Sequence, residues 1–281
     1  MAKTICFLLL SFFLGEAAHA FQDSPEWLLA KLTGHAPIQE GITIGNRYDQ
    51  HNREIAANYL LSQLKANCDE ARIEGYSTTG NNVVGIIRAT QPTNQWILLG
   101  AHYDSVRGCP GANDNGTGVV LVNQVAKHVK SLTTRNYNVY FVFFDEEEKG
   151  MVGSRAFAKK LKQEGIRLVA AHTIDQMGWD QDGDRAIELE MPTKALERHY
   201  RKVAKAKGFK FPIHKTDVIA TDHHSFRELG YDAIGLTEEY KNGDSTPHYH
   251  QSTDTFETVN LPYLNKITEF MEQVFEALLS E

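Results

Sequence analysis

The chain has 281 residues, 42% of them hydrophobic, which is enough for one large core without division into several domains. Acidic residues number 36 against 29 Lys and Arg, and the formal charge of −7 argues against a nucleic-acid surface. We therefore expect a single domain with no nucleic-acid partner.

The N-terminus has the basic, apolar and small-residue order of a secretory signal peptide. Lys3 precedes the apolar stretch 5–14, and Ala18-His19-Ala20 precedes a cleavage point after Ala20. We expect residues 1–20 to be removed and the mature domain 21–281 to be exported, to the periplasm or the medium. Because no later stretch approaches about eighteen uninterrupted apolar residues, we expect no stable membrane anchor.

Two cysteines, Cys68 and Cys109, remain after the signal peptide has taken Cys6 with it. In an oxidising compartment they could form a disulfide. The alternative is two unpaired thiols, because the sequence does not show whether their Cα atoms come close enough to pair. Both alternatives stay open at this stage.

The first part of the mature chain predicts packing helices followed by two strands. Helices are expected over 24–32, with Pro in the first turn, and over 49–65, with a turn over 41–47 between them. The Val-, Ile- and Leu-rich runs 82–89 and 96–101 flank a Gln-Pro-Thr-Asn turn and predict strands.

Helix and strand patterns then alternate to the C-terminus. In chain order they predict helix 116–132, strand 139–144, helix 154–162, strands 168–174 and 186–191, helix 194–207, strand 231–236, and a closing helix with Leu264, Ile267, Met271, Val274 and Leu278 on one face. The alternation predicts a single-domain α/β fold with a mixed, largely parallel central sheet flanked by helices on both faces.

Five side chains have the identities and settings of ligands for two metal ions that share one carboxylate. They are His102, Asp114, Glu148, Asp175 and His250. His102 and Asp175 directly follow predicted buried strands, and ligands of open α/β sheets bind at the carboxyl ends of strands. Two histidines and three carboxylates suit zinc better than Mg²⁺ or Ca²⁺, so we predict two Zn²⁺ ions with Asp114 between them.

Each position alone has a simpler explanation. His102 could be a surface or hydrogen-bonded histidine, Asp114 could cap a helix in an Asx turn, and the acidic run 145–148 could be a solvated loop. The run, however, follows four core residues abruptly, and like charges so close together need cations. His172, inside a predicted strand, is interpreted as an interior histidine, and His250 is preferred over His248 as a ligand.

Two further acids have predicted roles beside the metals. Glu147 can act as general base on metal-bound water, whose pKa zinc lowers from about 15.7 towards about 7. Asp104, two residues after His102 on an extended strand, can accept a hydrogen bond from the second imidazole N–H of His102. Asp254 is expected to cap or orient the nearby loop.

Glu146 and Glu238 or Glu239 are candidates for binding the substrate ammonium, although surface charge explains them equally well.

Together these blocks resemble the co-catalytic di-zinc aminopeptidases related to secreted bacterial leucyl aminopeptidase, from about Asp49 to the C-terminus. The matching blocks are Gly100-Ala101-His102-Tyr103-Asp104, Gly111-Ala112-Asn113-Asp114-Asn115, Glu147-Glu148-Lys149-Gly150, Asp175 at a strand end, and His250 before Asp254-Thr255. Gln251 departs from the common Thr, and Thr221 departs from the Ser that usually precedes Asp222-His223. Neither departure removes a ligand.

The resemblance implies a zinc peptidase catalytic domain over 21–281. One zinc would be held by His102, Asp114 and Asp175, the other by Asp114, Glu148 and His250, and Glu147 would be the base. The resemblance also implies a non-proline cis peptide after Asp114.

The expected activity is removal of the N-terminal residue from peptides with a free N-terminus, by a metal-bridging hydroxide, in a monomeric chain. One alternative is a glutaminyl cyclase, which shares the fold and forms pyroglutamate; such family members generally lack the first histidine, so His102 counts against it. The other alternative is a binding protein that has lost catalysis, against which the complete set of ligands and base counts.

Overall fold

The computed structural model describes residues 24–280, so the predicted signal peptide 1–20 lies outside the described residues. Two capped helices begin the described chain. Ser24 accepts the backbone N–H of Trp27 at the start of α1 (Pro25–Leu32), and Asp49 accepts that of Asn52 at the start of α2 (Gln50–Asn67). Both helices were predicted from the sequence.

Eight strands and five further helices follow within residues 68–280. The strands are β1 (Glu70–Gly75), β2 (Asn81–Ile87), β3 (Gln95–His102), β4 (Asn138–Phe144), β5 (Arg167–Ile174), β6 (Ile187–Glu190), β7 (Ile213–Thr216) and β8 (Ala233–Glu238). The helices are α3 (Gly118–Ser131), α4 (Val152–Gln163), α5 (Lys194–Lys207), α6 (His223–Arg227) and α7 (Leu261–Ser280).

The sequence analysis missed β1, β7 and α6. Both missed strands lie at the edges of the sheet, where charged residues replace the apolar run that marks a central strand. Strand β8 was predicted two residues too early, since it ends in Thr237 and Glu238, which are polar but buried. Buried polar residues at the end of a strand do not extend its hydrophobic pattern in the sequence, so the end of the strand is not predicted.

The eight strands form one mixed sheet in the order β1-β2-β4-β3-β5-β8-β6-β7. The four central strands, β4, β3, β5 and β8, are parallel, and β1, β2 and β6 join through antiparallel pairs. The carboxyl ends of the four parallel strands therefore lie side by side along one edge of the sheet. The predicted mixed, largely parallel sheet is confirmed.

Helices cover both faces of this sheet, as predicted. Along β4, Val139, Phe141 and Phe143 face the core under α1, α2, α3 and α7. Tyr140 and Val142 face the second core, under α4 and α6. Because successive side chains of β4 point to opposite faces and both faces are buried, the sequence of β4 is a continuous apolar run.

Cys68 and Cys109 are both buried and unpaired, so the alternative of two free thiols holds. Burial raises the pKa of each thiol to about 12, which keeps both protonated. No helix within residues 24–280 combines the length and apolar character that a membrane crossing requires.

Candidate metal centre

The five predicted ligands come together at the carboxyl edge of the sheet. His102 is the last residue of β3, Asp175 directly follows β5, and Glu148 lies in the short helical turn after β4. Asp114 comes from the turn Ala112–Thr117 that joins β3 to α3, and His250 comes from the loop before α7. Neighbouring parallel strands and two loops thus deliver all five side chains.

Asp114 lies between two groups of side chains. His102 Nε2 is 3.2 Å from Asp114 Oδ1 and 3.4 Å from Asp175 Oδ1. On the other side, His250 Nε2 is 3.1 Å from Asp114 Oδ2 and 3.0 Å from Glu148 Oε2. Each oxygen of the Asp114 carboxylate therefore belongs to one group, which is the arrangement that a bridging carboxylate requires.

Several of these atoms are buried without a hydrogen-bond partner. They are His102 Nε2, Glu148 Oε1 and Asp175 Oδ1. One ligand atom each from His102, Asp114 and Glu148 lie within 4.8 Å of one another. Because buried polar atoms without partners are costly, this donor set fits divalent cations of the zinc type.

Hydrogen bonds from the turn that carries Asp114 to the loop that carries His250 keep the turn in place. The Asp254 carboxylate accepts the backbone N–H of Asn113 at 2.8 Å and of Asp114 at 3.1 Å. The peptide bond from Asp114 to Asn115 is cis, as the resemblance implies. Asp254 therefore lies where an orienting residue was expected.

Arg47 holds the same turn from the opposite side, and the sequence analysis did not identify it. Its guanidinium is fully buried and donates to the backbone carbonyls of Leu32, Tyr103, Pro110 and Gly111. Burial lowers the pKa of Arg47, although nearby carboxylates such as Asp254 oppose the shift. A single arginine in a predicted turn gave no signal for this role.

Asp104 contacts the acidic turn more closely than it contacts His102. Its carboxylate accepts the backbone N–H of Glu147 at 3.0 Å and of Glu148 at 3.3 Å. The distance from Asp104 Oδ1 to His102 Nδ1 is 3.5 Å, and that nitrogen has no hydrogen-bond partner. Asp104 thus fixes the backbone that carries Glu147 and Glu148.

Charges in the cluster shift the pKa values of its members. Burial would lower the pKa of His102, but Asp175 and the other carboxylates raise it well above its ordinary value. Burial would raise the pKa of Asp114, but the nearby imidazoles of His102 and His250 lower it. Burial raises the pKa of Glu147 to about 10, and the charges of Asp222 and Asp175 add to this shift while His102 opposes it.

A cavity of about 330 Å³ opens beside the cluster. Glu147 and the ligands Asp114, Glu148, Asp175 and His250 form one of its sides. Glu147 Oε2 is 4.0 Å from His102 Nε2, so the predicted base faces the same space as the ligands.

The acids proposed from sequence for the substrate ammonium do not border this cavity. Glu146 is buried and pairs with Arg53 and Lys149. Glu238 is buried and accepts the backbone N–H of Gly178 and Trp179. Neither the ammonium role nor the surface-charge interpretation therefore holds for these two. Glu190, which the sequence analysis did not single out, is the further carboxylate that borders the cavity.

A mixed α/β sheet whose carboxyl edge gathers histidines and carboxylates beside a cavity is the arrangement expected of a metal-dependent peptidase. The chain belongs to peptidase family M28, whose model matches residues 82–275. The family resemblance seen in the sequence is thereby confirmed.

Curated relatives agree with this assignment. The chain is 27% identical over 250 residues to a probable leucine aminopeptidase of Trichophyton verrucosum, covering 81% of this chain and 67% of that protein. It is 28% identical over 217 residues to aminopeptidase YwaD of Bacillus subtilis, covering 72% of this chain and 46% of that protein. The chain thus spans about half to two thirds of the length of these relatives.

Solved structures share the fold. BSAP, a zinc aminopeptidase from Bacillus subtilis, superposes with a TM-score of 0.65 at 25% identity, over 70% of this chain and 50% of that one. The Legionella pneumophila LapA aminopeptidase gives 0.78 at 22% identity, over 92% and 72%. A Porphyromonas gingivalis glutaminyl cyclase gives 0.71 at 16% identity, over 91% and 98%. The last two likenesses show the fold alone.

Proposed function

We propose that the protein is a zinc-dependent aminopeptidase that hydrolyses the peptide bond after the N-terminal residue. The observation that carries the proposal is the convergence of His102, Glu148, Asp175 and His250 around Asp114, with buried ligand atoms that lack hydrogen-bond partners, beside a cavity. Membership of family M28 supports the same activity.

The donor groups divide naturally between two ions. His102, Asp114 and Asp175 would hold one zinc, and Asp114, Glu148 and His250 would hold the other. Bound zinc supplies Lewis acidity for the scissile carbonyl and lowers the pKa of bound water towards about 7. The remaining chemistry belongs to the side chains of this chain.

Glu147 is the proposed general base. It accepts a proton from the attacking water and returns it to the amine that leaves when the C–N bond breaks. Burial and the neighbouring carboxylates raise the pKa of Glu147, which makes its carboxylate a stronger proton acceptor. Asp104 positions Glu147 by accepting its backbone N–H.

Glutaminyl cyclase activity is the alternative that the shared fold raises. His102 lies within the cluster, 3.2 Å from Asp114, and the resemblance associates cyclases with loss of that histidine. Incubation with an N-terminal glutaminyl peptide separates the two activities by product. Release of free glutamine supports the peptidase, and a pyroglutamyl peptide of unchanged length supports the cyclase.

The decisive experiment is a panel of aminoacyl amides assayed with and without a chelator, together with the metal content. We expect hydrolysis by the zinc-loaded protein, loss of activity after chelation, recovery on adding zinc, and two zinc ions per chain. Absence of hydrolysis of every amide by the zinc-loaded protein would contradict the proposal. We also expect export, with Phe21 as the first residue of the processed chain on N-terminal sequencing.

A further inference from the structure

The cavity extends beyond the metal ligands to a buried carboxylate on β6. Glu190 borders the cavity with its side chain fully buried. Tyr249, which borders the same cavity, is 50% exposed, so it lies at the mouth. Glu190 therefore lies at the floor, where the side chain of a bound residue would end.

One oxygen of this carboxylate has a partner and the other has none. Thr221 Oγ1 donates to Glu190 Oε2 at 2.6 Å, and His223 Nδ1 is 3.3 Å from the same oxygen. Glu190 Oε1 is buried without a hydrogen-bond partner. An orphaned carboxylate oxygen at the floor of a cavity is costly unless a ligand satisfies it.

The sheet makes room for this carboxylate. Glu190 pairs with Gly235 across β6 and β8, and a Cβ atom at Gly235 would overlap Glu190 Oε2. Any other residue at position 235 would push the carboxylate away. The cavity floor is therefore shaped around an acidic side chain.

The rest of the lining, as residues 24–280 form it, contains neither Lys nor Arg. Besides the metal ligands and Glu147, the cavity is bordered by Gln176, Glu190, Ala220, Thr221, Thr237, Tyr240, Ser245, Thr246 and Tyr249. Among the described residues that border it there is no Leu, Ile, Val, Met, Phe, Trp, Lys or Arg. No lysine or arginine of the described chain therefore borders the cavity to pair with Glu190.

Strand register gives the distance from the metals to the floor. Ile174, just before Asp175, pairs with Leu236 on β8, and Glu190 on β6 pairs with Gly235. Asp175 and Glu190 are thus two strands apart, or roughly 10 Å between backbones. With the α-ammonium held at the metals, a long side chain has the length to span this separation and meet Glu190.

We propose that Glu190 makes this cavity selective for peptides whose N-terminal residue carries a cationic side chain, Lys or Arg. This inference rests on the proposed aminopeptidase function and adds its substrate class. The cation of the substrate would donate to Glu190 Oε1, while Thr221 keeps Oε2 in place. A charge-assisted hydrogen bond of this kind is among the strong polar contacts.

The test compares Lys, Arg, Leu and Met p-nitroanilides on the zinc-loaded protein. We expect kcat/KM for Lys or Arg to exceed that for Leu and Met, and Glu190→Gln to lower it for the cationic substrates by roughly 10- to 100-fold. The loss should appear mainly in KM. The ratio of kcat/KM for the cationic substrates to that for the Leu substrate should therefore fall in Glu190→Gln.

Glu188→Gln is the matched control. Glu188 lies two residues earlier on β6 and is also buried, but it does not border the cavity, and its Oε1 accepts the backbone N–H of Lys241 and Asn242. This variant should keep the preference for cationic substrates. If Glu188→Gln loses that preference as Glu190→Gln does, the loss comes from a general disturbance of β6, and the inference fails.

Other outcomes separate this inference from the proposed function. Faster cleavage of the Leu substrate than of the Lys and Arg substrates overturns the selectivity and leaves the aminopeptidase intact. If no substrate is cleaved, the proposed aminopeptidase function is wrong. Calorimetric binding of free lysine and of free leucine then tests separately whether the cavity prefers a cationic side chain. The same binding comparison on wild-type protein decides the matter if Glu190→Gln does not fold.

Discussion

Two buried histidines on neighbouring strands have opposite environments. His172, inside β5, has its Nδ1 2.9 Å from the hydroxyl of Tyr200, and its ring packs edge-on against Phe275. Burial lowers the pKa of His172 to about 3. His102 ends the adjacent strand β3, is equally buried, and has a pKa raised well above its ordinary value by carboxylates, Asp175 first, despite burial.

The difference shows that burial alone does not define a functional histidine. Leu99 of β3 lies beside His172 in the sheet, so the aromatic environment and the carboxylate cluster are only a few residues apart. Inside the sheet the neighbours are apolar and favour the neutral imidazole. At its carboxyl edge the chain leaves the strands, and loops bring acids that only cations can balance.

The strongest test at the carboxyl edge is Glu147→Gln. We expect kcat to fall by about 10²- to 10⁴-fold, because the proposed base is lost while the shape is kept. Zinc content should be unchanged, since Glu147 is not a proposed ligand. The exposed Glu164→Gln is the control and should retain full activity. An unchanged kcat for Glu147→Gln would remove Glu147 from the mechanism.

Asp104→Asn tests whether the backbone of the acidic turn must be held. The amide would replace one acceptor for the N–H groups of Glu147 and Glu148 by a donor. We expect zinc affinity, measured by competition with a chromogenic chelator, to fall by about 10- to 100-fold. The exposed Asp232→Asn should bind zinc like the wild type. Equal affinity for Asp104→Asn and wild type would mean that the turn is rigid without this contact.

His172→Asn tests whether the buried, neutral imidazole of His172 makes the stability of the fold depend on pH. The pKa of His172 is about 3 in the folded chain, against 6.5 for an ordinary histidine. Below pH 6.5 the unfolded chain therefore binds a proton that the folded chain does not, so the stability of the fold that is present above pH 6.5 is lost on acidification. Between pH 7.5 and pH 5 this amounts to about 2 kcal/mol of unfolding free energy. We expect denaturant titrations to show that loss in wild type and a smaller loss in His172→Asn. Parallel pH profiles would show that His172 is not buried as neutral imidazole.

The sequence predicted the parts of the molecule where local pattern and chemistry agree. Strand β4 is apolar on both faces, and His102 and Asp175 directly follow runs of the same kind, so their meeting at one edge followed from the rules of parallel sheets. The single-domain α/β fold and the family resemblance were predicted for the same reason.

What the sequence could not show depends on contacts between distant residues. Arg47 reaches the carbonyls of the metal-binding turn across some sixty positions of chain, and nothing near Arg47 indicates this. The acids considered for the substrate ammonium, Glu146 and Glu238 or Glu239, were those left without a role near the predicted site, and the sequence does not show that they lie outside the cavity. Glu190 stands in an alternating Ile-Glu-Leu-Glu strand, and only the sheet order shows that it borders the cavity.

The buried guanidinium of Arg47 bears on how the chain can be shortened. Residues 82–275 match the family, yet the turn with Asp114 is tied through Arg47 to the carbonyl of Leu32 at the end of α1. A recombinant fragment trimmed to the matched region would lack Arg47 and would leave the carbonyl oxygens of Tyr103, Pro110 and Gly111 without their donor. The smallest working version of this domain must therefore begin upstream of α1, well before the region by which the family is recognised.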